Sequence, residues 1–321
     1  MDHIRRFLRA YDSGVFDDVP VLGQKYSYVI VAGMGGSGVV GSAIVDLARN
    51  VAKVPIDVLR ANRLPAFTTD DTLAIIISYS GNTREMLELY EECEARGCRI
   101  LVITTGGKLG ERAKADGKKL ILMGGGFTPR SDIGFAIGYA ASVIDANCGT
   151  NIMDTFVSAT RAAEPYAELL SRGDDSDNPA KYIATRMVSK TPFIYADDSL
   201  SCVVNRWKCQ INENSKIPAA CNTFPEFNHN SLEGWGGNSH NSLIPVFLGA
   251  TNQYIDAALG ILKERGNPFL MVEIPGESNA EVMLNGVILG DYVSLYLAQM
   301  LGVNDSPVYS ITEYKKRTAG L

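Results

Sequence analysis

The chain has 321 residues, 46% of them hydrophobic and 21% charged, with a formal net charge of −6. That length predicts two α/β domains of about 150 residues each rather than one large core. The acidic balance excludes a whole-protein field for nucleic acid or acidic membranes, and no apolar run approaches the ~18 residues of a membrane span, so an anionic ligand would have to be met by a local pocket of amides and a few cations.

The start, Met1-Asp2-His3-Ile4-Arg5-Arg6, lacks the apolar centre of a secretion signal. Tyr26–Ala32 is a short β-forming run that ends in glycines, and Val39–Arg49 reads as a helix. Thr72–Ser78 contains Leu73-Ala74-Ile75-Ile76-Ile77, an apolar run without alternation, as in a strand buried on both faces. A helix over Asn82–Arg96, strands over Arg99–Thr104 and Lys119–Met123, and a small-residue helix over Ile133–Asn147 follow. This order predicts a parallel sheet covered on both faces.

Residues 170–181 collect turn formers and charge, and are expected to link a domain over 1–165 to one over 182–321. The second half predicts strand Pro192–Ala196, helix Leu200–Glu213, strand Leu243–Leu248, helix Gln253–Arg265, strand Phe269–Val272 and helix Ala280–Leu301. A last helix over Pro307–Arg317 would carry proline in its first turn. Between Lys216 and Ser242 lies a long polar and aromatic loop with two of the three histidines, His229 and His240, and long ordered loops are usually functional. The fold class is therefore α/β, with two subdomains, each a parallel sheet flanked by helices. The six cysteines, Cys93, Cys98, Cys148, Cys202, Cys209 and Cys221, form no CxxC pair; their scatter predicts reduced thiols in a cytoplasmic protein, with no zinc site and no disulfide framework.

Two strand-end loops carry the chemistry. Gly33-Met34-Gly35-Gly36-Ser37-Gly38 follows a strand and opens a helix, so its amides and the positive helix end suit an anion, with Gly36 and Ser37 best placed. It also satisfies G-x-G-x-x-G, yet the next strand ends in Leu59-Arg60 where a dinucleotide site needs an acid. The second loop, Ser78-Tyr79-Ser80-Gly81-Asn82-Thr83-Arg84-Glu85, sets three hydroxyls, Ser78, Ser80 and Thr83, around a glycine at a helix start. Such donors suit a phosphomonoester. The plainer alternative is helix capping by Ser80 or Asn82.

This pair of loops resembles the fingerprint of the sugar isomerase (SIS) domain. With Asn212-Glu213-Asn214 and Glu226-Phe227-Asn228-His229-Asn230 added, the chain is similar to the archaeal-type bifunctional phosphoglucose/phosphomannose isomerases from about Val29 onward. The resemblance implies two SIS-type subdomains and aldose–ketose isomerisation of glucose 6-phosphate, and of mannose 6-phosphate as well, with fructose 6-phosphate through a cis-enediol(ate), without metal or redox cofactor. It implies Glu213 as the base and His229, sixteen positions later, as the ring-opening group, reaching in from the neighbouring subunit of a homodimer with a shared active site. It places a lysine in the last helix. Lys315 is preferred to Lys316 because Val308, Ile311 and Tyr314 would put it beside a buried face. Arg130, in Thr128-Pro129-Arg130-Ser131-Asp132, matches an arginine that faces substrate and steadies the enediolate. Glu226, Glu233 and Trp235 shape the loop.

Three other readings compete. A non-catalytic sugar-phosphate sensor would need none of the base, ring-opening and cationic groups, and no basic helix-turn-helix segment is present. A nicotinamide dehydrogenase would rest on the first glycine loop alone. An amino-sugar synthase would need an N-terminal cysteine nucleophile, and here Asp2 follows Met1.

Overall fold

The unalternating run over Thr72–Ser78 is a strand whose seven residues are all buried. Placing an isoleucine or leucine side chain there stabilises by about 1.5–3 kcal/mol over leaving it in water, which is why the run becomes a central strand and not an edge. The structure, a computed structural model, describes residues 2–23, 25–126, 132–172, 177–237 and 241–318. It divides into two units, Met1–Arg161 and Ala162–Leu321.

The first unit runs α1 (Asp2–Asp12), β1 (Tyr28–Ala32), α2 (Gly36–Ala48), β2 (Ile56–Leu59), β3 (Thr72–Ser78), α3 (Arg84–Ala95), β4 (Arg99–Thr104), α4 (Gly107–Ala115), β5 (Lys119–Leu122) and α5 (Ile133–Cys148). Its five strands lie in the order β2-β1-β3-β4-β5, all parallel. One face of the sheet packs Ile30, Ile76 and Val102 against Met86 and Leu89 of α3 and Leu109 of α4. Helix α2 starts at Gly36, three residues ahead of the expected Val39, so the end of the glycine loop, Gly36-Ser37-Gly38, is already in its first turn.

A twenty-residue helix, α6 (Ile152–Ser171), crosses the division between the units. Its Pro165 has no N–H to offer the carbonyl of Arg161, where the first unit ends. Within the expected linker 170–181, Leu170 and Ser171 close α6, residues 173–176 lie outside the described residues, and Pro179 opens α7 (Pro179–Met187). Asn178 joins the two ends: its Oδ1 accepts from the Ala180 amide at 3.0 Å and its Nδ2 donates to the Leu170 carbonyl at 2.9 Å.

The second unit continues with β6 (Thr191–Asp197), α8 (Ser201–Gln210), β7 (Ala220–Phe224), α9 (Ser231–Trp235), β8 (Leu243–Leu248), α10 (Gln253–Glu264), β9 (Leu270–Val272), α11 (Asn279–Met300) and α12 (Tyr309–Thr318). The four strands are parallel in the order β7-β6-β8-β9. Three expectations change here. The helix predicted to run to Glu213 stops at Gln210 and gives way to a π-helical turn, Ile211–Ser215. The segment read as a loop between Lys216 and Ser242 contains β7, a 3-10 turn over Glu226–His229, and α9. The last helix begins at Tyr309, so Pro307 precedes it, and α12 buries no residue; the buried face expected beside Lys315 is absent from this chain.

An aromatic cluster explains why the 3-10 segment is ordered. Phe227 is fully buried, with its ring centroid 4.6 Å from Tyr195 and 4.7 Å from Phe224. On the helical side, α8 sits hard against α11: Trp207 Nε1 donates to the Gly286 carbonyl at 2.7 Å. A β-carbon at Gly290 would stand 2.8 Å from Trp207 Cγ and closer still to the rest of the indole. Gly290→Ala is therefore expected to overpack this contact and lower stability by about 1–3 kcal/mol, read as a fall in denaturation midpoint. An unchanged midpoint would mean that the two helices have slack at this crossing.

Candidate active site

In the first unit the groups converge where β1, β3 and β4 end. The strands are paired in register, Ala32 with Ile76 and Ser78 with Thr104, so their terminal turns lie side by side. After β1, Gly36 is the first residue of α2 and Ser37 lies half-buried in its first turn. Close packing fixes this turn: a β-carbon on Gly33 would meet Ser37 backbone at 2.7 Å. The end of β2 bears on the dinucleotide reading. Arg60 donates to the Gly38 carbonyl at 3.1 Å and also to Ser42 Oγ, so a cation stands where an acidic ribose partner would be needed.

After β3, Ser78 is buried, Ser80 is exposed and Thr83 is half-buried. Thr83, not Ser80 or Asn82, occupies the N-cap of α3, and its side chain caps nothing. Ser78 and Thr83 hydroxyls are instead 3.0 Å apart. Ser80 Oγ accepts from the Asn82 amide at 3.3 Å. Ordinary capping thus fails to account for the hydroxyls, and the first turn of α3 keeps its positive end without a side-chain acceptor from its N-cap.

A third turn, Thr104-Thr105-Gly106-Gly107 after β4, was not singled out in the sequence, although two glycines directly behind an apolar strand are the same signal as in the first loop. It locks onto the second turn. The Thr105 amide donates to the Tyr79 carbonyl at 3.1 Å, the Leu109 amide to Gly81 O at 2.9 Å, and the Lys108 amide to Asn82 Oδ1 at 3.1 Å. From the other side Tyr79 donates its hydroxyl to buried Asp132 at 3.0 Å, and Asp132 is also paired with Arg6. Arg130 and His240 lie outside the described residues.

In the second unit Glu213 is half-buried at the middle of the π turn. Turns of this type are uncommon and recur at functional sites. Asn212 Oδ1 accepts from the Ala219 amide at 2.9 Å, and a cavity of about 370 Å³ opens beside the turn, lined by Asn212, Lys216, Ile217, Pro218 and Ala219. Lys216 ends the turn with φ +59, a left-handed backbone that a non-glycine residue rarely adopts. Its ammonium donates to the carbonyls of Glu213 and of Pro307, the latter at 2.6 Å. Beneath the turn, Arg206 is 1% exposed and forks onto Asp291 through bonds of 2.9 and 3.0 Å. Burial works to lower the Arg206 pKa, but the Asp291 carboxylate outweighs it, with smaller help from Cys209 and Glu213, and holds the guanidinium above its ordinary value.

His229 is exposed at the end of the 3-10 turn, on the shoulder of buried Phe227. Glu213 precedes the start of β7 and His229 follows its end, so within one chain the strand separates them. Lys315 is exposed on α12. Among the described residues no group of three or more His, Cys, Asp or Glu side chains is gathered as a metal ion would require, and no helix is long and apolar enough to cross a membrane.

Comparison with known proteins finds relatives over nearly the whole chain. The family described as the bacterial phospho-glucose isomerase C-terminal SIS domain matches residues 176–318, and the SIS domain matches residues 25–116. The bifunctional phosphoglucose/phosphomannose isomerase of Caldicellulosiruptor bescii is 32% identical over 330 residues, covering 97% of this chain and 95% of its own. That of Aquifex aeolicus is 32% identical over 314 residues, covering 95% of each. A glucosamine-6-phosphate deaminase from Thermotoga maritima shares the fold, with a TM-score of 0.72 at 14% identity over 96% of this chain and 95% of that one.

The closed pair of turns is testable on its own. Gly81 has φ +65, and a β-carbon there would lie 2.7 Å from the Gly106 carbonyl carbon and collide with its oxygen. Gly81→Ala should part the turns and speed amide exchange at Thr105 and Leu109 about tenfold or more, in line with ~1–3 kcal/mol of backbone strain. Native protection at both amides would contradict that.

Proposed function

The chain belongs to the bifunctional phosphoglucose/phosphomannose isomerase family, and from that premise we propose that it interconverts glucose 6-phosphate and mannose 6-phosphate with fructose 6-phosphate. The observation that carries this reading is the Ser78–Thr83 turn, whose hydroxyls are turned on one another rather than spent on capping α3. A phosphomonoester offers several acceptor oxygens in a small volume, and Gly36, Ser37, Ser78, Ser80 and Thr83 are its proposed ligands.

With the ester held, His229 opens the sugar ring. The Glu213 carboxylate then takes the proton from C2 of the open aldose, the electrons move onto O1 to give the cis-enediolate, and the same proton returns at C1 while the hydroxyl proton passes from O2 to O1. One base suffices because the proton leaves and returns on one face. Arg130 and Lys315 are assigned to the developing oxyanion, where a fixed positive charge stabilises the transition state more than the ground state. No metal or redox cofactor enters this sequence of steps. His229 is assigned to a second copy of the chain in a homodimer; its position beyond the far end of β7 from Glu213, and an α12 that buries no residue, support that assignment.

A coupled assay with fructose 6-phosphate, scoring glucose and mannose products separately in the presence of a chelator, tests the reading. Both aldoses are expected, at rates the chelator leaves unchanged. Glu213→Gln should cut turnover by about 10²–10⁴-fold while hexose-phosphate binding stays nearly intact. Full activity in that variant would remove Glu213 from the mechanism, and tight binding with no isomerisation by the native protein would mark a sensor.

A further inference from the structure

Two side-chain bonds fasten the turn that carries Glu213 to one residue of α11. Asn214 and Ser215, the two residues after Glu213, are 5% and 0% exposed, and both bond to Ser294, itself fully buried. Asn214 Nδ2 donates to Ser294 Oγ at 2.9 Å, and Ser215 Oγ donates to the Ser294 carbonyl at 2.7 Å. The Ser294 hydroxyl spends its own proton on the Asp291 carbonyl at 2.8 Å, one turn back along α11, which aims its lone pairs at Asn214.

A π turn is strained relative to an α turn and persists only where its surroundings hold it. Here the holding is divided. Helix α8 is docked by Trp207 on Gly286 and by Arg206 on Asp291, none of which involves Ser294. The π turn beyond it is held from α11 by the two bonds to Ser294. Removing the hydroxyl would therefore take away the Asn214 anchor and loosen the turn on that side, while the Ser215 bond to the Ser294 backbone and the docking of the helix stay in place.

We propose that Ser294 is a positioning residue for the isomerisation: by anchoring Asn214 it keeps the π turn formed and so fixes the direction in which Glu213 presents its carboxylate. Ser294 touches no reacting atom, and the inference rests on Glu213 being the base. A displacement of about 1 Å at a proton-transfer group is enough to cost on the order of 10²-fold in rate.

The test compares the native protein, Ser294→Ala and the double variant Asn214→Ala/Ser294→Ala in fructose 6-phosphate isomerisation and in thermal unfolding. Ser294→Ala should lower kcat by about 10–100-fold with KM within about threefold, because ground-state binding is left alone. It should also lower Tm, since the Asn214 amide is left buried without its acceptor; removing both partners should restore most of that Tm. The decisive outcome is that kcat stays low in the double variant although Tm recovers. If kcat recovers along with Tm, Ser294 is only a packing residue, and native kcat in Ser294→Ala overturns the inference at once. A native protein that isomerises no hexose phosphate removes the role of Glu213 and this inference together, whereas an active native protein confines any failure to Ser294.

Discussion

In a parallel sheet every strand delivers its carboxyl end to one edge, and each helix that follows begins there with amides pointing outward. The first unit repeats this three times, after β1, β3 and β4, in strands that are hydrogen-bonded neighbours or next neighbours. Donors therefore accumulate at one place from backbone alone. An acidic chain of net charge −6 can thus still offer a site to an anionic ligand, because fixed dipoles and small hydroxyls attract an anion without bulk positive charge. Arg60, just after β2, is engaged with Gly38 and Ser42 and braces α2.

The second unit uses its helices differently. Polar bonds concentrate on one stripe of α11, where Gly286, Gly290, Asp291 and Ser294 meet Trp207, Arg206 and the π turn in succession. Small residues let α8 approach, and polar residues then decide the register in which it rests. The pair of buried Arg206 and half-exposed Asp291 gives little net stability by the usual accounting, but losing Asp291 would leave the guanidinium charge stranded beneath the turn that bears Glu213. This ties the exact seating of that turn to residues some eighty positions further along the chain.

The legible parts of this fold were those that a single run of residues decides. Thr72–Ser78, Arg99–Thr104 and Leu243–Leu248 stand at the bounds their unbroken apolar runs predict, because strands buried on both faces admit few other residues. The edge strand Ala-Cys-Asn-Thr-Phe at 220–224 is only half covered and carries no such run, so nothing in its residues marks it off from the surrounding loop. Helix α4 opens on Gly107 behind an N-cap glycine, Gly106, and is strongly charged, which hid both the helix and the third turn. Helix α1 is polar apart from a narrow stripe, where Phe7 meets Phe156, far along the chain, edge-on with ring centroids 5.1 Å apart. The glycine and hydroxyl loops were readable because turn chemistry is local. The surroundings of Glu213 were not: Leu200–Glu213 has an ordinary helical composition, and what breaks its periodicity is Ser294.

The π turn over Ile211–Ser215 carries one more residue per hydrogen-bonded loop than an α turn. Shortening that stretch by a single residue would let the helix close as a regular α turn, so that the residues inside the stretch, Glu213 among them, take new bearings. The bearing of the Glu213 carboxylate is thus written in the count of residues as well as in their identity. A scan of point substitutions, which keeps the count constant, would pass over that part of the design; a one-residue deletion would expose it.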